Sequence, residues 1–159
     1  MKFINVRRML VAASFGLALG LLALPGMAKA DTLTFEQVVS HHSFSRTVSA
    51  IKKAVAMNKM MIVGQINQKK VLAMNGLRLK GALTLFIGNP VMGKKLFSMN
   101  PAAGAAVPVR LYVWVDSAGK TEIGYFKPST LLTAVDPGLG MGGKMLDGTL
   151  DKLVHMVSK

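Results

Sequence analysis

Residues 108–126 read Pro-Val-Arg-Leu-Tyr-Val-Trp-Val-Asp-Ser-Ala-Gly-Lys-Thr-Glu-Ile-Gly-Tyr-Phe, and this stretch decides the fold. Its first nine residues alternate. Val109, Leu111, Val113 and Val115 fall on one face of a strand, and Arg110, Tyr112, Trp114 and Asp116 on the other, because successive side chains of an extended chain point to opposite sides. The aliphatic face reads as core. Ser117-Ala118-Gly119 is far too short for a crossover, so the chain turns back into Lys120–Phe126 and the two runs pair as a hairpin. An antiparallel pair at the centre excludes a purely parallel, doubly wound sheet.

Working outward, Lys80–Ile87 reads as a strand stopped by Gly88-Asn89-Pro90. A helix follows from Pro90 to Met99, with proline at its first position, where no N–H is needed. Asn100-Pro101 ends it, and the small residues Ala102–Ala106 read as a loop. Upstream, residues 33–39 and 60–66 read as strands. Between them Ser43 opens a helix whose Phe44, Val48, Ile51 and Val55 recur at helical spacing. Gln68–Met74 reads as a short helix closed by Asn75-Gly76, and Pro128–Val135 as another. Residues 136–146 are rich in glycine and read as a linker. A C-terminal amphipathic helix, 147–159, then presents Leu150, Leu153, Val154 and Val157, with Leu146 just before it, for packing on its own domain. The whole predicts an α+β domain: a mostly antiparallel sheet with helices packed on one face.

The N-terminus reads as a signal peptide over residues 1–30. Lys2, Arg7 and Arg8 precede an uncharged run, Met9–Leu24; Pro25-Gly26 breaks it, and Ala28-Lys29-Ala30 supplies the small residues a signal peptidase needs. The run is shorter than the roughly 20 residues of a spanning helix. Cleavage after Ala30 is expected, giving a periplasmic or secreted protein with no stable membrane span. The mature part, 129 of the 159 residues, suits one domain over 31–135 plus its linker and last helix. The formal charge is +13, and the four cations of the signal leave +9 on the mature part. Zero cysteines exclude a disulfide framework and thiolate chemistry. The basic residues come as scattered pairs (Lys52-Lys53, Lys69-Lys70, Lys94-Lys95), not as a tract with interleaved aromatics, so no nucleic-acid partner is expected.

One segment carries a family resemblance. Phe86-Ile87-Gly88-Asn89-Pro90, Gly93, Asn100-Pro101, the strand Pro108–Asp116, Gly119-Lys120, Tyr125 and Pro128 together resemble the core signature of the DUF302 family. The resemblance extends over roughly residues 33–132. It implies a TBP-like α+β fold and a homodimer, and no chemistry. Relatives commonly carry a small polar or acidic residue just before the proline that follows the tyrosine; Lys127 stands there in this chain.

Three constellations are candidates for function. Gly88-Asn89 leads into a helix carrying Lys94 and Lys95, and the unpaired N–H groups of a helix start favour an anion. Asn89 acting simply as the N-cap is the competing reading. Arg110, Tyr112 and Trp114 gather a guanidinium, a phenol and an indole on one strand face, which suits an anionic or planar ligand, a dimer interface or a covered surface. His41 and His42, with the methionines, are weak candidates for copper, since adjacent histidines diverge and methionine is more often core filler. No hydrolase elbow, zinc-protease, Walker or dinucleotide motif occurs, so no enzyme and no cofactor are expected. The expected function is therefore a non-enzymatic periplasmic binding or accessory role. Its ligand would be a small anion held near Gly88, Asn89, Lys94, Arg110 and Trp114. Binding of a protein partner or the anionic envelope surface is the alternative, and copper handling the third.

Overall fold

The structure, a computed structural model, describes residues 32–159; the signal reading falls on residues 1–30 and lies outside them. Five strands, β1 (Phe35–Ser40), β2 (Met61–Ile66), β3 (Ala82–Gly88), β4 (Val109–Val115) and β5 (Thr121–Phe126), form one sheet in the order β1-β5-β4-β3-β2. Every pairing is antiparallel. The helices are α1 (Phe44–Met57), α2 (Gln68–Ala73), α3 (Pro90–Met99), α4 (Pro128–Val135) and α5 (Gly140–Ser158). The expected α+β architecture is what the chain adopts.

Alternation in the central strands sets the core. Leu85 pairs with Leu111 and Leu111 with Tyr125; Leu83 pairs with Val113 and Val113 with Ile123, all on one face. Over them lie Ile51, Ala54 and Val55 of α1 and Leu150, Leu153, Val154 and Val157 of α5. A second apolar cluster, Leu96, Ala103, Ala106, Leu132, Leu139 and Leu146, joins α3, α4 and the start of α5 beside the sheet. Gln68, the first residue of α2, reaches the opposite side of the sheet, where its Nε2 donates to Thr84 Oγ1. Helices therefore cover one face, and α2 touches an edge region of the other.

The linker reading of residues 136–146 is corrected. Pro137–Leu139 forms a 3-10 turn, and α5 begins at Gly140 and runs unbroken to Ser158. The physical reason is close packing. A Cβ on Gly143 would lie 2.4 Å from Ser129 Cα, and one on Gly142 would lie 2.7 Å from Leu96 Cδ2. These glycines let α5 approach α4 and α3, so here glycine serves contact and not freedom. Asp147, expected to open the last helix, lies well inside it. Its Oδ1 accepts from Ser129 N at 2.9 Å and its Oδ2 from Ser129 Oγ, supplying the start of α4 with the side-chain acceptor that Lys127 does not provide. The last helix is thus integral. Burying its Leu150, Leu153, Val154 and Val157 contributes about 6–12 kcal/mol as an upper bound, comparable to the whole stability of a small domain. The stretch Ala102–Ala106 also differs: Pro101–Ala105 is a 3-10 turn, opened by Asn100 Oδ1 accepting from Ala102 N at 2.9 Å.

Candidate functional site

The uncovered face of the sheet gathers the second constellation. Arg110, Tyr112 and Trp114 project from β4 on the side away from α1 and α5. Register places Phe86, Thr84 and Ala82 beside them on β3, and Gly124 and Glu122 beside Tyr112 and Trp114 on β5. Next comes β1, with Phe35 opposite Phe126, Gln37 opposite Gly124 and Val39 opposite Glu122. Gly124 has a steric role: a Cβ there would meet Phe35 Cζ at 2.5 Å and Trp114 Cζ3 at 3.0 Å, so both rings lie across bare backbone. Trp114 stacks on Tyr112, ring centroids 5.0 Å apart and planes 12° from parallel. Phe35 and Phe126 meet edge to face at 5.2 Å.

Arg110 stands between two hollows of this surface. One, of 280 Å³, is lined by Phe35, Gln68, Thr84, Tyr112 and Phe126 among others. The other, of 330 Å³, runs along Phe86, the turn 104–106 and Leu131. Its guanidinium carbon lies 5.8 Å from the centroid of Phe86, a contact that holds the planar cation over a ring. Arg110 is exposed and makes no ion pair among the described residues. Burial raises the pKa of the Tyr112 phenol, so it stays a neutral donor over the ordinary pH range. Two side-chain acceptors on this side of the sheet are buried and unpartnered among the described residues: Gln68 Oε1 and Glu122 Oε2, the latter on a residue 5% exposed.

The first constellation lies elsewhere. Gly88 and Asn89 line an apolar cavity of 240 Å³ together with Met61, Met92, Leu96 and Leu146. Asn89 is the N-cap of α3: its Oδ1 accepts from Met92 N at 3.0 Å. Lys94 is exposed and lines none of the cavities described above. The structure therefore does not bring Gly88, Asn89 and Lys94 together with Arg110 and Trp114. His41 and His42 sit in the turn between β1 and α1, where the backbone N–H of His41 donates to Ser158 O and that of His42 to Ser40 Oγ. Among the described residues no group of three or more His, Asp or Glu is placed to hold a metal. Lys127 pairs with Glu36 at 2.8 Å, and its ammonium pKa is raised chiefly by the hydrogen bond to that carboxylate.

A family model, domain of unknown function DUF302, matches residues 35–158, nearly the whole described chain. The chain belongs to the DUF302 family. A solved structure similar to it is the crystal structure of an uncharacterized conserved protein DUF302 from Bacillus stearothermophilus, at 20% identity and a TM-score of 0.73. The likeness covers 79% of this chain and 98% of that one, and shows a shared fold. No curated protein matches. The DUF302 match runs through α5, in accord with that helix being part of the domain. Glu122 and Gln68 escaped the sequence reading. Alternation along Thr121–Phe126 was a signal for Glu122, since it sets Glu122 on the face of Phe126; nothing local marks Gln68.

Proposed function

We propose that this DUF302 chain is an exported, non-enzymatic binding domain that takes a small planar anion on the open face of its sheet, with Arg110 holding the charge. The observation that carries this reading is a guanidinium that makes no ion pair among the described residues and stands between two hollows walled by aromatic rings. Arginine presents two parallel N–H groups to a carboxylate or phosphate. Phe35, Phe126 and Tyr112 offer flat apolar surface to the rest of the ligand. Trp114 contributes by bracing Tyr112. Export is supported by the n-region, apolar run and A-x-A site of residues 1–30.

The test uses 2-naphthoate, benzoate and inorganic phosphate with the chain starting at Asp31. At a hundredfold excess over Kd a ligand stabilises by about 2.7 kcal/mol, so naphthoate is expected to raise Tm by several degrees and change the emission of Trp114, the one tryptophan. Arg110→Ala abolishes both effects and Lys94→Ala leaves them. No shift with any of these anions, or a shift that survives Arg110→Ala, refutes the reading.

A second reading has its own observation. Phe35, Val39 and Phe126 on this face are each close to half exposed, apolar surface that a partner could cover. A second copy related by a twofold axis would cover it. Sedimentation equilibrium showing a dimer that dissociates on Arg110→Glu supports this reading; a monomer at 100 μM, roughly the upper limit of a micromolar-affinity dimer, excludes it.

A further inference from the structure

The charges of this chain are segregated along its sequence. Residues 37–115 carry eleven lysines and arginines and neither aspartate nor glutamate; all seven acids lie in residues 31–36 and 116–159. The sheet order keeps the acid-free stretch together. Strands β4, β3 and β2 are neighbours, and β5 and β1, which carry Glu122 and Glu36, lie beyond β4.

Within that stretch three cations line one hollow. Lys69, Lys70, Ala73, Arg78 and Leu79 surround 320 Å³ with no acid among them. Local rules build it. Lys69, Lys70 and Ala73 fall within one arc of α2, because residues four apart share a helix side. Gly76, at φ +84°, then closes the helix: Leu77 N donates to Leu72 O at 3.1 Å and Gly76 N to Ala73 O at 3.2 Å, the paired bonds of a glycine C-cap. This cap turns the chain back, so that Arg78 and Leu79 return to the hollow. Lys69 Nζ donates to Lys80 O at 3.2 Å, tying the returning chain to α2. Lys70 and Arg78 are exposed and make no ion pair among the described residues. Asp116, which follows β4 beside the start of β3, has its Oδ1 accepting from Lys120 N at 2.7 Å within its own turn. The helix itself buries no side chain, so the core does not account for a cationic helix and turn at this place.

We propose that this hollow binds a soluble chain of two or more linked phosphates, with Arg78 gripping one phosphate through its fork and Lys69 and Lys70 meeting the next. Charge complementarity selects this occupant. No aromatic ring lines the hollow, and Ala73 and Leu79 are its only apolar walls, so a ligand gains there through charge. Guanidinium matches phosphate with two parallel N–H groups, and lysine acts as a point charge. The hollow shares no lining residue with the two beside Arg110.

Isothermal titration of inorganic tripolyphosphate into the chain starting at Asp31, which contains the whole described fold, tests this. The titration is run at 0.15 M salt, where exposed charges are screened beyond about 8 Å. One molecule per chain is expected. A hydrogen bond to a charged group is worth about tenfold in affinity at the lower end of its range. Lys70→Gln and Arg78→Gln should therefore each weaken binding about tenfold, and Arg78→Lys, which keeps the charge and loses the fork, should weaken it less. Lys94→Gln with Lys95→Gln removes more charge from the same acid-free stretch and should bind as the parent does. These positions are all exposed, and an unchanged Tm verifies that each variant folds. No uptake of tripolyphosphate, a loss in the Lys94 and Lys95 variant equal to that in Arg78→Gln, or capture by phosphatidylglycerol vesicles in place of tripolyphosphate overturns the proposal.

Discussion

Gly143→Ala isolates the contact that makes the C-terminal helix part of the domain. Two effects oppose each other. Alanine gains about 1 kcal/mol of helix propensity over glycine. Its Cβ, however, would lie 2.4 Å from Ser129 Cα, 2.9 Å from Ser129 N and 3.1 Å from Pro128 O, all backbone atoms that no rotamer change can move aside. Ordinary contact needs α4 and α5 to part by roughly an ångström. Overpacking of this kind costs about 1–3 kcal/mol. Parting also stretches the bonds from Ser129 to the Asp147 carboxylate, and hydrogen bonds to a charged group are each worth about 1.5–3 kcal/mol. The net expectation is a loss of about 1–3 kcal/mol, or a Tm lower by roughly 4–12 °C for a domain of this size. Gly148→Ala is the internal control, because it lies in the same helix with nothing within 4 Å of its Cβ. It should gain about 0.5–1 kcal/mol. Urea unfolding of both variants beside the parent gives the answer. If Gly143→Ala proves as stable as Gly148→Ala, the close crossing is wrong and the glycines are a linker after all.

Three further outcomes follow from the same structure. Burial, with help from the carboxylates of Asp151, Glu36 and Asp147, pushes the Tyr125 phenol up to about 12. Its contribution is therefore complete below the usual tyrosine value near 10 and is lost as pH rises toward 12. Tyr125→Phe should flatten alkaline unfolding between those limits, read by circular dichroism. Asp136 is held below the usual carboxylate range, first by the Asn100 side chain and then by the Gly138 N–H. Its support is present above that range and fades as pH falls through the depressed value, so Asn100→Ala should shrink the acid-side slope of stability. Gly124→Ala should displace Trp114 and Phe35, cost about 1–3 kcal/mol, and shift tryptophan emission. Unaltered emission would contradict the ring placement.

The candidate site was half legible in the sequence. Strand alternation alone set Arg110, Tyr112 and Trp114 on one face, and the structure finds them there. It could not set Gln68 beside them, because the approach of α2 to β3 depends on the path of the whole connection between β2 and β3. Nor could it separate Gly88 and Asn89 from Arg110. Phe86 pairs with Arg110 across the ladder, yet Gly88 ends the strand and from Pro90 the chain runs on as α3, so that Gly88 and Asn89 line an apolar cavity instead.

The sequence by itself determined what local physics writes into a short window. The period-2 alternation of Val109–Val115, the three-residue turn after Asp116, the Ser43 and Asn89 caps and the proline at the head of α3 each act over a few residues, and each appears as read. Tertiary structure decided what glycine means at residues 140–143. A glycine run is equally a flexible joint and a smooth surface against which another helix can press, and sequence cannot distinguish them. The choice falls to the partner: with Ser129 and Leu96 packed against Gly143 and Gly142, burial of α5 outweighs glycine's helix penalty, and the expected linker becomes the start of the longest helix described.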